Sequence, residues 1–218
     1  MPAREAYRLW AQHYDAETAV SHLENAVVAK LGVPTLGRSL LDVGCGTARR
    51  LGDTGASLAI GVDLTLEMLE RSQGASPVAA ANVLALPFAA ERFDVVWCRL
   101  VIGHVLPMEM AYAELSRVCR MGGAVIVTDI APSAVAAGHR RTFSDASGVT
   151  HEIEHFTHSI ERQAVAAHDV ALRMERRQDG VVDESIMHFY ADAGRLEAYE
   201  TQRGLPIVTG LLWRKEWS

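Results

Sequence analysis

Two glycines one residue apart, Gly44 and Gly46, constrain this chain more than any other feature. They cut off a short apolar run, 39–43, that reads as a buried strand, and the helix formers Ala48, Arg49, Arg50 and Leu51 follow. Strand, glycine turn and helix is how an open α/β sheet builds a ligand crevice at the carboxyl edge of its strands. Glycine suits such a turn because the chain bends sharply and its backbone approaches a ligand with no Cβ between them. The turn is expected to offer unpaired N–H groups at a helix start, which suit an anionic or polar ligand group.

The run 57–63 is a second apolar strand ending in Asp63, 19 residues beyond Gly44. An acid near that spacing accepts hydrogen bonds from ribose hydroxyls in nucleotide-binding βαβ units, because one carboxylate can take both hydroxyls at once. The third glycine of the dinucleotide fingerprint would fall at position 49, where Arg49 stands. That glycine brings helix, strand and pyrophosphate together, so its absence argues against NAD or FAD. A nucleoside without a pyrophosphate fits better.

Four motifs in order sharpen the pattern: Asp42-Val43-Gly44-Cys45-Gly46-Thr47, then Asp63, then Asn82-Val83-Leu84-Ala85-Leu86-Pro87-Phe88, then Phe93-Asp94-Val95-Val96. From about Tyr7 to Ile130 the chain resembles the S-adenosylmethionine-dependent methyltransferases of the seven-stranded α/β type, class I, particularly the small-molecule type 11 group. The resemblance implies a doubly wound, mostly parallel seven-stranded sheet with an antiparallel C-terminal strand, N-terminal helices and a lid insertion after the fifth strand. It implies S-adenosyl-L-methionine as cofactor and a small-molecule methyl acceptor with an O, N or C nucleophile. A single domain is expected over 1–218: a helical cap (1–36), a cofactor-binding core (37–130), a lid and substrate segment (131–158), and a closing helix and strands (159–218).

The resemblance also implies roles. Asp42 would anchor the cofactor's amino group, although a carboxylate at a turn also serves to fix it. Gly44, Cys45 and Gly46 would form the turn against the cofactor, Asp63 would hold the ribose, and Leu64 and Met68 would flank the adenine. Asn82 stands where an Asp is commoner; its carbonyl still accepts from the adenine amino group, and the Val83 N–H would serve a ring nitrogen. Tyr14, in the aromatic stretch Trp10 to Asp15, would either lie near the methionine carboxylate or, like Trp10, anchor an amphipathic helix.

Composition narrows the class. At 218 residues, 49% of them apolar and 22% charged, the chain can bury a sound core. A net charge of −6 gives no support for nucleic-acid or anionic-membrane binding. There is no apolar run long enough to span a membrane and no signal-like N-terminus. Cys45, Cys98 and Cys119 form no framework, so reduced thiols in a cytoplasm are expected; a monomer or homodimer is expected as well.

The rest follows in chain order. Arg49 and Arg50 open the expected helix, as solvated arginines or with one of them reaching the cofactor carboxylate; Thr65 is the expected cap of the helix carrying Glu67 and Met68. The apolar strand 93–100 delivers Arg99 to the crevice, where it could hold the cofactor carboxylate or an acidic substrate group. His104 lies in a stretch resembling the family's cofactor-lining loop. A helix runs from Pro107 to Cys119, and Asp129 ends the fifth strand above the crevice.

The loop-like segment 131–156 offers His139, Arg140 and Phe143 for substrate recognition, or else a solvated loop. His151-Glu152-Ile153-Glu154-His155 matches H-E-x-x-H literally. Ile153 and Phe156 suit an extended strand instead, which puts His151 and His155 on one substrate-facing side. Ser159 caps a helix, and 172–178 and 207–213 read as closing strands. Between them lie His188, Phe189 and Tyr190, the last a candidate substrate contact, and Arg214-Lys215 is expected to face solvent.

Methyl transfer needs reactants held in line in a dry site, and a base only for a weakly acidic nucleophile. His139, His104 and Asp129 are the candidate bases or orienters, and Arg99 and Arg140 suggest an anionic or carbonyl-bearing acceptor. The alternatives are a cofactor-binding protein of the same fold that does other chemistry and, more distantly, a zinc hydrolase using His151 and His155. No metal is expected.

Overall fold

Burial on both faces explains why two of the central strands read as unbroken apolar runs. In the computed structural model, which describes residues 1–145 and 147–217, the strands are β1 (Ser39–Val43), β2 (Leu58–Asp63), β3 (Val78–Ala80), β4 (Phe93–Arg99), β5 (Cys119–Ile130), β6 (Thr142–Ser144), β7 (Thr150–Glu152), β8 (Leu172–Val181) and β9 (Pro206–Lys215). Every residue of β1 is buried, and all but one of β4. Seven strands form one sheet in the order β3-β2-β1-β4-β5-β9-β8; β1 to β5 pair in parallel and β9 runs antiparallel to both its neighbours. The expected sheet is therefore present. The order reverses at β1, next to β4, so the carboxyl ends of those strands open a crevice.

The helices are α1 (Ala3–Trp10), α2 (Ala19–Leu31), α3 (Leu66–Leu69), α4 (Met108–Val118), α5 (Pro132–Ala136), α6 (Ile160–His168), α7 (Met187–Asp192) and α8 (Leu196–Gln202). One face of the sheet packs against α4 and α6 through Tyr112, Leu115, Val118, Ala166 and Ala167. The other packs against α2 through Leu23, Val27 and Leu31. Thr18 and Ser21 cap α2 reciprocally, and Gly32 ends it in the left-handed region at φ 69°. A Cβ on Gly210 would lie 2.4 Å from Val27 Cγ1, so glycine in β9 lets α2 settle onto the sheet.

The helix expected after the glycine turn is absent. Residues 44–57 run from β1 to β2 through turns, with Ala48 itself at φ 58°. Gly52 and Gly55 explain it: each costs a helix about 1 kcal/mol relative to alanine, and little apolar surface is available to compensate. From this connection only the small side chains of Cys45 and Ala48 and the single large one of Leu51 reach the core, and α2 covers the face beside them. A second departure is Lys215, expected in solvent, whose side chain is 11% exposed. Its ammonium donates to the carbonyls of Ser116 and Cys119, both at 2.9 Å.

The segment after β5 folds back over the crevice. β6 and β7 form a hairpin, and Phe143 sits between Trp10 and His151, stacked on each at 5.3 and 5.2 Å. Ala6, Phe143 and Ile153 make a small core of their own, so α1 and the hairpin are one cover.

Candidate functional site

The carboxyl ends of β1 to β4 enclose a cavity of about 350 Å³. The sheet contributes Val43, Gly44, Asp63, Asn82 and Leu100, and the N-terminal segment contributes Ala3, Tyr7 and Tyr14. The volume falls in the range of pockets that bury a small ligand.

The glycine turn does not work as expected. Its N–H groups are taken within the chain: Gly44 and Cys45 donate to the Val62 carbonyl at 2.7 and 3.0 Å, and Gly46 donates to Asp63 Oδ2 at 2.9 Å. The space a Cβ would need is also filled from within. At Gly44 it would meet Val101 Cγ2 at 2.1 Å, and at Gly46 it would meet Met68 Cε at 3.0 Å. These glycines, at φ 74° and 58°, bring the crevice walls together. Cys45 turns into the core, and burial pushes its thiol well above its ordinary range.

Asp63 braces that turn. Oδ1 accepts from the Thr65 N–H at 2.8 Å and Oδ2 from Gly46, so the carboxylate does the capping expected of Thr65, whose side chain caps nothing. Each oxygen keeps a lone pair, and the residue lines the cavity. Burial raises its pKa despite these donors. Leu64 and Met68 line the cavity beside it. Asn82 and Val83 do as well, but Asn82 Oδ1 also accepts from the Leu84 N–H at 3.0 Å, a turn-forming role not expected of it.

Asp42, one residue below the turn, is fully buried, and neither oxygen accepts a hydrogen bond among the described residues. Burial pushes its pKa up to about 6, against the pull of Arg50 and Arg99. A buried carboxylate without a donor is rare in a native fold and fits a cationic ligand group.

Both expected arginine roles change. Arg99 borders the cavity, but it donates to Glu24 Oε1 and Oε2 at 2.8 and 2.6 Å and to Asn25 at 2.7 Å. Arg50 is no solvated arginine: its side chain is 7% exposed and lies 3.5 Å from Glu24. Glu24 thus holds two guanidinium groups, and their attraction outweighs burial and lowers its pKa. Arg49 remains at the surface, donating to the Asp15 carbonyl with its guanidinium over Tyr14.

His104 lines the cavity with both ring nitrogens engaged. Nδ1 lies 2.8 Å from the Glu154 carbonyl, which can only accept, so Nδ1 carries the proton and Nε2 takes the Tyr7 hydroxyl at 3.2 Å. Burial, with Arg141 nearby, pushes its pKa down to about 3. It is a neutral strut, not the expected free base.

His155 and Asp129 form a buried pair, Nε2 to Oδ1 at 3.0 Å. A Cβ on Gly103 would lie 2.2 Å from His155 Nε2 and 2.4 Å from Asp129 Oδ2, so only glycine admits the pair beneath the His104 loop. His151 bonds instead to Asp145 at 2.7 Å. With Thr150–Glu152 a strand, the two imidazoles part company, and a helical zinc face is not formed.

Two further cavities adjoin the first. One of about 180 Å³ shares Tyr14 and Leu100 with it; another of about 500 Å³ shares Glu154 with it and is lined by His139, Arg140, Arg141 and His155. Phe143, expected to touch substrate, is buried in the cover, and Tyr190 lies outside all three cavities, donating to Gln202 at 2.8 Å. Glu24, Tyr7, Gly103 and Arg141 were not foreseen.

The fold and crevice define a doubly wound α/β domain with a nucleoside-sized site at its switch point. Residues 41–127 match the methyltransferase domain family. That match and the fold make this part of the chain similar to the class I S-adenosylmethionine-dependent methyltransferases. It is 35% identical over 137 residues to a malonyl-[acyl-carrier protein] O-methyltransferase from Pseudescherichia vulneris, covering 60% of this chain and 54% of that one. It is 36% identical over 115 residues to a demethylmenaquinone methyltransferase from Roseiflexus castenholzii, covering 49% and 48%. The chain thus spans about half the length of these relatives. A putative S-adenosylmethionine-dependent methyltransferase structure from Listeria monocytogenes superposes with a TM-score of 0.72 at 14% identity, covering 92% and 100%. Among the described residues, no helix is long and apolar enough to cross a membrane.

Proposed function

We propose that this protein transfers a methyl group from S-adenosylmethionine to a small-molecule acceptor. The observation that carries the reading is a nucleoside-sized cavity lined by Val43, Gly44, Asp63 and Asn82, with the unpartnered carboxylate of Asp42 buried one residue behind that lining. In this reading Asp42 meets the cofactor's ammonium, Asp63 accepts from the ribose, Asn82 and Val83 face the adenine, and Leu64 and Met68 pack on its faces. Tyr14, shared by the first two cavities, stands at the methionine end.

When bound, S-adenosylmethionine supplies an electrophilic methyl on a sulfonium. The chain's part is to orient the acceptor, exclude water with the cover of α1 and the hairpin, and take up a proton where the acceptor loses one. In this reading His155 performs that last task. With Nε2–H held by Asp129, Nδ1 is the basic atom, on a side chain that lines the third cavity. His139 and Arg140, in the same cavity, orient the acceptor. All three cysteines are buried and free, which suits a reducing cytoplasm, and a monomer or homodimer suffices.

Calorimetry with S-adenosylhomocysteine, followed by transfer of labelled methyl into an acceptor pool, tests the reading. Binding together with acceptor-dependent label transfer is expected. No binding heat would overturn it, and binding without transfer to any acceptor would favour a non-methylating role.

A further inference from the structure

The second cavity is lined by four arginines, Arg49, Arg50, Arg140 and Arg141, and by no Asp or Glu among the described residues. Three of the four have an acceptor of their own. Arg50 has Glu24, Arg140 has Glu152 at 3.7 Å, and Arg49 has the Asp15 carbonyl. Arg141 differs. No carboxylate lies within ion-pair distance of it among the described residues, and its only polar partner is the Tyr7 hydroxyl, reached from Nε at 3.0 Å and Nη2 at 2.6 Å. Nη1 is buried and donates to nothing. Tyr7 is not a counter-ion, because burial keeps its proton on, with a pKa pushed up to about 12.

A guanidinium taken out of water without an anion is costly, and a chain keeps one where an anion is delivered to it. Arg141 comes from the cover, does not line the nucleoside-sized cavity, and does line the third cavity together with His155. Its anion therefore arrives with the molecule that enters there.

On the methyltransferase reading above, we infer that Arg141 anchors a carboxylate of the acceptor, which makes the substrates small organic acids methylated at another atom. Two of the five guanidinium N–H groups are engaged with Tyr7, leaving an edge free for a two-point contact. A carboxylate held in that way has its lone pairs drawn toward the cation, so it serves as the handle and the nucleophile lies elsewhere. The Tyr7–His104–Glu154 chain holds Arg141 in place from the other side.

The test uses the full chain saturated with S-adenosylhomocysteine. Acetate, propionate and benzoate are titrated against acetamide, propionamide and benzamide at constant ionic strength, with melting temperature and binding heat as readouts. Saturable binding of the acids, about tenfold or more tighter than of the amides, is expected, the scale of one charge-assisted hydrogen bond. Arg141→Gln removes the preference and Arg141→Lys retains part of it, while affinity for S-adenosylhomocysteine stays unchanged in both. Equal binding of acids and amides by the unmodified protein overturns the inference without any variant. So does an Arg141→Gln protein that keeps the preference, or one that loses S-adenosylhomocysteine instead, which would assign Arg141 to the cofactor. Failure of the unmodified protein to bind S-adenosylhomocysteine would defeat the methyltransferase reading itself, a separate outcome.

Discussion

Arg99 grips both carboxylate oxygens of Glu24, 75 residues earlier in the chain, and so ties α2 to the end of β4 at the floor of the crevice. Thr128 of β5 adds a third bond to the same carboxylate at 2.8 Å. Removing one partner strands the other in a buried site. Glu24→Ala is expected to cost roughly 3–5 kcal/mol, measured by urea unfolding. Replacing the pair together, Glu24→Met with Arg99→Met, should cost less than Glu24→Ala, since it strands only Arg50 where the single change strands both guanidinium groups. A double variant as unstable as the single one would show that the pair stabilises the fold outright.

Asp42 sets stability against binding. Its folded pKa, about 6, lies above its ordinary 3.8 because burial outweighs the nearby arginines. A carboxyl shifted in that direction favours the folded state below pH 3.8, and that advantage is lost as pH rises through 6. Above that window the buried charge destabilises the unliganded protein by on the order of 2–3 kcal/mol. Asp42→Asn should therefore raise the unliganded melting temperature at pH 7, and the gap to the unmodified protein should close toward pH 4. The same change should weaken S-adenosylhomocysteine by tenfold or so, the scale of a lost charged hydrogen bond. A variant that melts lower at pH 7 would contradict the account.

What could be read from the sequence was what depends on local spacing. The position of Asp63 follows from strand and turn spacing, while the seven-stranded sheet and the cavity-lining Leu64, Met68 and Asn82 follow from the resemblance that the four ordered motifs carry. The helix expected after Gly46 does not form because Gly52 and Gly55 break the segment, although Ala48 to Leu51 have helical propensity. Side-chain pairing across the chain was out of reach, since contacts such as Arg99 to Glu24 and His155 to Asp129 exist only after folding. Glu24 did leave a trace: it falls in the helical stripe with Val27, Val28 and Leu31, where an acid needs a buried partner. Nothing in the sequence separates Arg141 from Arg140, yet Arg141 is partly buried with no carboxylate in ion-pair contact among the described residues, while Arg140 is exposed and paired.

Gly103 should prove as intolerant as any residue of the site. An added methyl would overlap His155 Nε2 and Asp129 Oδ2, both at under 2.5 Å. Gly103→Ala is expected to separate the pair and free the His155 ring, moving and broadening its ring-proton NMR signals. Methyl transfer to a weakly acidic acceptor should fall about 100-fold, the typical scale of general-base catalysis, while S-adenosylhomocysteine still binds. Asp129→Asn should lower transfer in the same way without the steric change. Unaltered transfer in both would leave the pair a purely structural contact.

Asp63 is placed to brace the turn and to hold a ligand, and the two tasks separate by measurement. Asn at 63 presents one oxygen where the carboxylate presents two, so it can keep one of the Gly46 and Thr65 N–H bonds at most. Losing the other in a half-buried setting should lower stability by about 1 kcal/mol, a few degrees in melting temperature. If the remaining lone pairs also receive the ribose hydroxyls, S-adenosylhomocysteine affinity should drop by roughly 10- to 100-fold, beyond what that loss of stability explains. A molecule lacking the ribose hydroxyls should bind the unmodified and Asp63→Asn proteins alike. A lower melting temperature with undiminished affinity would leave Asp63 only its bracing role and move the sugar elsewhere in the cavity.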